Sequence, residues 1–315
     1  MRAREELVMR LAETRRATLG GISDSAFDEL KRAVQDAPES FIDTPANQAF
    51  YLVCVAVERF ERDGEGDDAL DDDAYLRARR LRHMRMVSDC DQILAIDPAC
   101  TDAHLLKALA ENDNAEALLG ILLDMEDAIA AEGDAWSDVL LRPQLRVRAA
   151  VVRTCMETAR YGMALGKAAE SLALSPLDTL GCRHSAVLAY ARLEDEAGFE
   201  ALDARFDHAS SAWSLLARVI LNFKLGRMSA ARRALAGYSA LVEGGAYALL
   251  RPILVDTYMP DRPACAPCSF TEALFAVHEA DPIVVDVPDF ALWAEDQPVV
   301  RAAARSYADA HGFDW

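Results

Sequence analysis

No run of about 18 uncharged apolar residues occurs in the 315-residue chain, so no membrane-spanning helix is expected. The first ten residues carry Arg2, Arg4, Glu5, Glu6 and Arg10 with no apolar segment behind them, which does not read as a secretory signal. Positive charge is in deficit. Lysine and arginine number 33 against 52 aspartates and glutamates, leaving a formal charge of −19. Such a field repels phosphate, so nucleic acid and anionic membrane are excluded as general partners, and it also keeps a chain dissolved. Paired cysteine motifs are scarce as well. The seven cysteines (54, 90, 100, 155, 182, 265 and 268) are odd in number and mostly lie in apolar helical stretches. Buried free thiols in a reducing cytoplasm fit that pattern. Catalytic signatures are missing: there is no Gly-x-Ser-x-Gly, phosphate loop, dinucleotide fingerprint or His-Glu-x-x-His. Gly20-Gly21 lacks the lysine that a phosphate loop needs. His83, His104, His184 and His208 stand singly, and neither His278 nor His311 completes a ligand pattern with Cys265-Ala266-Pro267-Cys268. No cofactor is expected.

What the chain does hold is helix-forming material. Hydrophobic residues make up 52%, alanine and leucine dominate with glutamate and arginine, and glycine and β-branched residues are sparse. Helices are expected over 2–18, 24–36 with Asp24 as N-cap, and about 44–62 with Pro45 in its first turn. The acidic stretch 61–73 follows. Asp63, Glu65 and Asp67 faintly suggest a calcium loop, but Asp68 and Ala74 stand where glycine and glutamate would be required, so it reads as a solvated loop. A helix over about 74–96, rich in arginine at its start, stops at Asp97-Pro98 because proline disfavours helical geometry in the residue before it. Further helices are expected from Thr101 and over about 114–131.

From 144 the pattern sharpens. Helices are expected at 144–160, 162–174, 179–192, 195–206, 210–224 and 228–242, joined by short connections as hairpins. Trp213, Leu216, Ala217 and Ile220 give the large, large, small, large spacing of a tetratricopeptide first helix, and Ala164 and Ala168 let a second helix approach closely. Such hairpins cannot bury both faces alone, so they stack into a solenoid with a concave side. The expected class is therefore all-α: degenerate N-terminal hairpins over 1–135, tetratricopeptide-like repeats over 136–250, and an irregular capping segment over 251–315. Seven prolines from Pro252 to Pro298 divide that segment, Ile283–Val287 reads as a short strand or extended piece, and a last helix runs over about 298–310.

Residues 136–250 resemble a bacterial branch of tetratricopeptide proteins related to the suppressor-of-tumorigenicity-seven family. Three stretches carry the resemblance: Trp136 with Leu141-Arg142-Pro143-Gln144-Leu145-Arg146; Leu174-Ser175-Pro176-Leu177-Asp178 with Gly181 and Arg183; and Ser211-Ala212-Trp213. Weaker echoes occur at Thr271-Glu272-Ala273 and over Pro288 to Trp293. Gln144 stands for an aromatic, and Ser175, Thr179 and Leu180 for polar amides. The resemblance implies a repeat fold and an interaction role, and it brings no catalytic activity.

If Pro176 closes its repeat, Arg146 and Arg153 face the concave side, followed by Arg183 and Tyr190 in the next repeat and Arg218 and Asn222 in the third. Guanidinium groups so placed would hold carboxylates, such as a peptide C-terminus or an acidic segment. Alternatively they pair with Asp178, Glu157 or neighbouring acids and fasten adjacent repeats, Arg142 with Asp178 among them. The expected partner is a protein or peptide. A metal- or redox-responsive role at Cys265 and Cys268, and self-association into a homo-oligomer, are the other readings.

Overall fold

The computed structural model describes residues 3–67, 70–129 and 133–315, and no strand occurs among them. Two compact units emerge. Unit 1 comprises residues 1–147 and 257–262; unit 2 comprises 148–256 and 263–315. The expected boundary at 135/136 thus falls at Val147/Arg148, and a six-residue piece of the C-terminal segment belongs to unit 1.

Unit 1 is built from α1 (Ala3–Leu19), α2 (Asp24–Asp36), α3 (Pro45–Asp63), α4 (Asp72–Ile96), α5 (Thr101–Glu111), α6 (Ala115–Asp124) and the first residues of α7 (Arg142–Glu157). Each start has a chemical cause. The Ser23 hydroxyl accepts from the Ala26 N–H, so Ser23 caps α2 and Asp24 is its first residue. Thr44 caps α3 with Pro45 in the first turn, and the Asp71 carboxylate accepts from the Ala74 N–H to open α4. α4 stops at Ile96, one residue before Asp97-Pro98. α6 ends at Asp124, short of the expected helix over 114–131, whose last residues lie outside the described ones. Asp68 of the acidic stretch also lies outside them. Around it, Asp63 pairs with Arg85 and Asp67 with Arg82, so both carboxylates serve α4.

Unit 2 begins within α7 and continues through α8 (Tyr161–Leu174), α9 (Cys182–Leu193), α10 (Glu196–Arg205), α11 (Ala212–Lys224), α12 (Met228–Leu241), α13 (Gly245–Leu250), α14 (Phe270–Val285), α15 (Pro288–Glu295) and α16 (Pro298–His311). α9 packs on its neighbours α8 and α10 and also on α11, and α11 packs on α12. Ala149 and Val152, Ala168, and Cys182 and Ala186 meet in one apolar cluster flanked by Leu165, Leu180 and Leu202. Trp213, Leu216, Ala217 and Ile220 are all buried, as their spacing predicts.

The C-terminal segment departs from expectation. Ile283 is buried inside α14, so 283–285 is helix and not a strand. Pro288 sits in the first turn of α15, a helix not expected there, where a missing N–H costs nothing; Pro298 likewise opens α16, which runs where the last helix is expected. α14 packs on both α9 and α11. Its acids Glu272, Glu279 and Asp286 recur every seven residues and so share one face. Glu272 accepts from the Ala212 N–H at 2.8 Å, Glu279 from the Ser185 hydroxyl at 3.5 Å, and Asp286 from Arg192 at 2.9 Å. The face that α9 and α11 turn toward α14 is therefore already filled by an acidic helix of the same chain.

Candidate functional site

The six residues expected along one groove have different fates. Arg146 belongs to unit 1, where its side chain is fully buried. Its three guanidinium nitrogens engage three carboxylates: Nη1 donates to Asp102 at 3.0 Å, Nε to Asp261 at 3.2 Å, and Nη2 to Glu6. Arg10 reaches Asp102 at 3.4 Å, and Arg142 lies 3.6 Å from Glu6, so three cations face three anions. Burial alone would pull the Arg146 pKa down. The charges of Asp261, Asp102 and Glu6 outweigh it and hold the guanidinium protonated. Arg142 donates to the Trp136 carbonyl at 2.9 Å; its ionic partner is Glu6 and not Asp178.

The other five are in unit 2. Arg153 is buried. Tyr190 packs on Gly198, and the Asn222 amide donates to the Arg218 carbonyl one turn back at 2.8 Å. A Cβ on Gly198 would lie 2.3 Å from the Tyr190 ring and 2.7 Å from an Asp195 oxygen. Gly198→Ala should therefore lower stability by about 1–3 kcal/mol, as overpacking does. Thermal unfolding reads this, and Gly198→Ala should cost less in a Tyr190→Ala background than in the native one.

Arg183 and Arg218 do come together, around the end of α10. Asp178 has a left-handed φ of 53°, and its carboxylate accepts from the N–H groups of Cys182 (2.7 Å) and Arg183 (3.0 Å), fixing the first turn of α9. The Arg183 guanidinium then lies 4.5 Å from the Phe206 ring centroid. Beside it is a shallow depression, open to solvent, whose walls include Val187, Leu202, Ser211 and Ser214. His184 stacks on Trp213 at its edge, with ring centroids 4.2 Å apart. Ser211 and Ser214 form the capping box of α11.

Charge in this depression is unevenly matched. Asp203 receives Arg218 at 2.9 Å and His208 at 2.8 Å, and Glu200 receives Arg218 at 2.6 Å. The nearest acid to Arg183 is Asp178, whose oxygen stands 3.8 Å from Nε and is already used by backbone donors. Arg183, with its side chain 31% exposed, is thus a cation only partly neutralised and open to a ligand. Glu200, Asp203 and His208 bring ligand atoms close enough together for one cation, but a metal there would have to displace Arg218 from both carboxylates. Arg183 and Arg218 are found by sequence; Leu202, Asp203, Phe206 and Ser214 are not, because the turn between α10 and α11 brings them in.

The thiols form a second set. All seven cysteines are thiols outside any disulfide; Cys54, Cys90, Cys100, Cys155 and Cys182 are buried, while Cys265 and Cys268 are half-buried. Burial pushes the Cys90 thiol up to about 12 and the Cys100 thiol up to about 11. Burial, then the charge of Glu272, also raises Cys268, which works against a reactive thiolate. Iodoacetamide at pH 8 should therefore label Cys265 first, Cys268 more slowly, and the other five only after unfolding. Peptide mass spectrometry reads the order.

Among the described residues no helix is long and apolar enough to cross a membrane. Compared with known proteins, the chain matches no family model, no curated protein and no solved structure.

Proposed function

We propose that the chain is a non-catalytic, cytoplasmic protein- or peptide-binding module of tetratricopeptide-like hairpins, and that it takes a carboxylate-bearing segment at Arg183. One observation carries the reading: a partly neutralised guanidinium beside an aromatic ring opens on a solvent-facing depression walled by apolar side chains and two serines. Those groups suit a carboxylate with a short apolar stem, such as the last residue of a peptide. The arginine supplies charge and paired donors, and Phe206 orients it. Asp286, at the end of α14, pairs with Arg192 of α9 and supports the preference for acidic segments, since that contact is also a carboxylate held by a guanidinium.

A library of peptides ending in a free carboxylate or in an amide, probed with the purified chain, tests this. Peptides with the free carboxylate should bind, and Arg183→Ala should weaken them by about tenfold to a hundredfold, the worth of a charged hydrogen bond. Binding that ignores the terminal carboxylate, or that survives Arg183→Ala, would count against it.

A further inference from the structure

Away from that depression, one face of α4 has no partner among the described residues. Its other face is buried through Arg82, His83, Met86, Cys90 and Ile93, against α3 and α5. The exposed face carries Leu81 (54% exposed) and Met84 (61% exposed) at its middle. On the N-terminal side of Met84, Arg77 and Arg80 are exposed, and no acidic side chain among the described residues pairs with either. On its C-terminal side stand Ser88 and Asp91, also exposed.

The stripe has a symmetry of its own. Asp73, Arg77, Arg80, Met84, Ser88, Asp91 and Ala95 are spaced by four, three, four, four, three and four residues, so they share one side of the helix and read alike from either end. Laid antiparallel on a second α4 about a two-fold axis through Met84, Arg77 of one chain meets Asp91 of the other. Arg80 meets Ser88, and Met84 meets Met84. A parallel pairing would set arginine against arginine. Leucine, methionine and arginine are also suited to protein interfaces, where a flexible thioether adapts to an opposing surface and a guanidinium pairs with low hydration cost.

We infer that this face of α4 is the contact between two copies of the chain, formed by antiparallel α4 helices with a reciprocal Arg77–Asp91 pair. The two-fold arrangement is isologous and closes on itself. One helix pair buries less than a standard interface, and two chains of charge −19 repel each other. The dimer is therefore weak, with a Kd on the order of 10–100 µM. Asp91 already holds Lys107 at 2.6 Å on the surface, and in the dimer it accepts from both cations.

Sedimentation velocity on the full chain, from about 1 to 300 µM, tests this. A concentration-dependent dimer is expected. Met84→Asp should raise its Kd at least tenfold while circular dichroism stays native, because the side chain is at the surface. Arg77→Glu should also weaken it, and the double variant Arg77→Glu, Asp91→Arg should restore it, because the pair is reciprocal. A monomer throughout the range would overturn the inference. So would a dimer unmoved by Met84→Asp, or one that the charge exchange does not restore.

Discussion

Arg146→Ala should cost about 3–5 kcal/mol of folding stability, the largest single-residue effect expected in unit 1. The side chain is fully buried and every guanidinium nitrogen is engaged, so its loss strands Glu6 and Asp102, which are themselves buried, beside Asp261. Three carboxylates then share Arg10 and Arg142, and neither reaches all of them. Arg146→Lys keeps the charge but cannot direct three bonds at once, and should lose about half as much. Urea unfolding gives the energies, and hydrogen exchange in α1 and α5 shows where protection falls. A loss below about 1 kcal/mol would mean that the cluster is not the anchor described.

The second large effect is at Glu272. It is 5% exposed, and one of its oxygens accepts from the N–H groups of Ala212 (2.8 Å) and Cys268 (2.6 Å). Ala212 opens α11 and Glu272 lies in the first turn of α14, so one carboxylate fastens α14 to the start of α11. Glu272→Ala leaves both donors without their acceptor and should cost about 2–4 kcal/mol. Glu272→Gln keeps an acceptor without the charge and should cost about 1 kcal/mol. The discriminating result is the order of the two variants. Equal losses would place the effect in packing and remove the role assigned to the carboxylate.

These two residues also mark how far the sequence could be read. Helix positions over 144–242 follow from local signals such as Ser211, the buried Trp213 stripe and the small Ala164 and Ala168, and they agree with the structure to within about three residues. Arg146 was legible as important but not as buried. Its partners lie 140, 44 and 115 residues away, and no periodicity carries that information. The C-terminal segment misled for a different reason. Pro298 is read as the start of the last helix and is one, but Pro282 and Pro288 are read as breaks, and they lie inside α14 and in the first turn of α15. The acids of α14 were visible singly, but their common face appears only once 283–285 is helical. In the candidate site, Arg183 follows from the repeat register that Pro176 sets, whereas Phe206 and Asp203 enter through a turn that holds Asp207 and His208 at left-handed φ values of 55° and 53°. Non-glycine residues in that region give little warning in sequence.

Whether Arg183 and the depression beside it receive a carboxylate is tested most directly by titrating the isotope-labelled chain with N-acetyl-L-leucine and following amide chemical shifts. The same titration with N-acetyl-L-leucinamide is the control. Saturable shifts are expected at Arg183, Phe206, Ser211 and Ser214 with the carboxylate, together with their loss in Arg183→Ala and none of comparable size with the amide. Equal shifts from both compounds, or shifts confined to other parts of the chain, would refute carboxylate binding at Arg183.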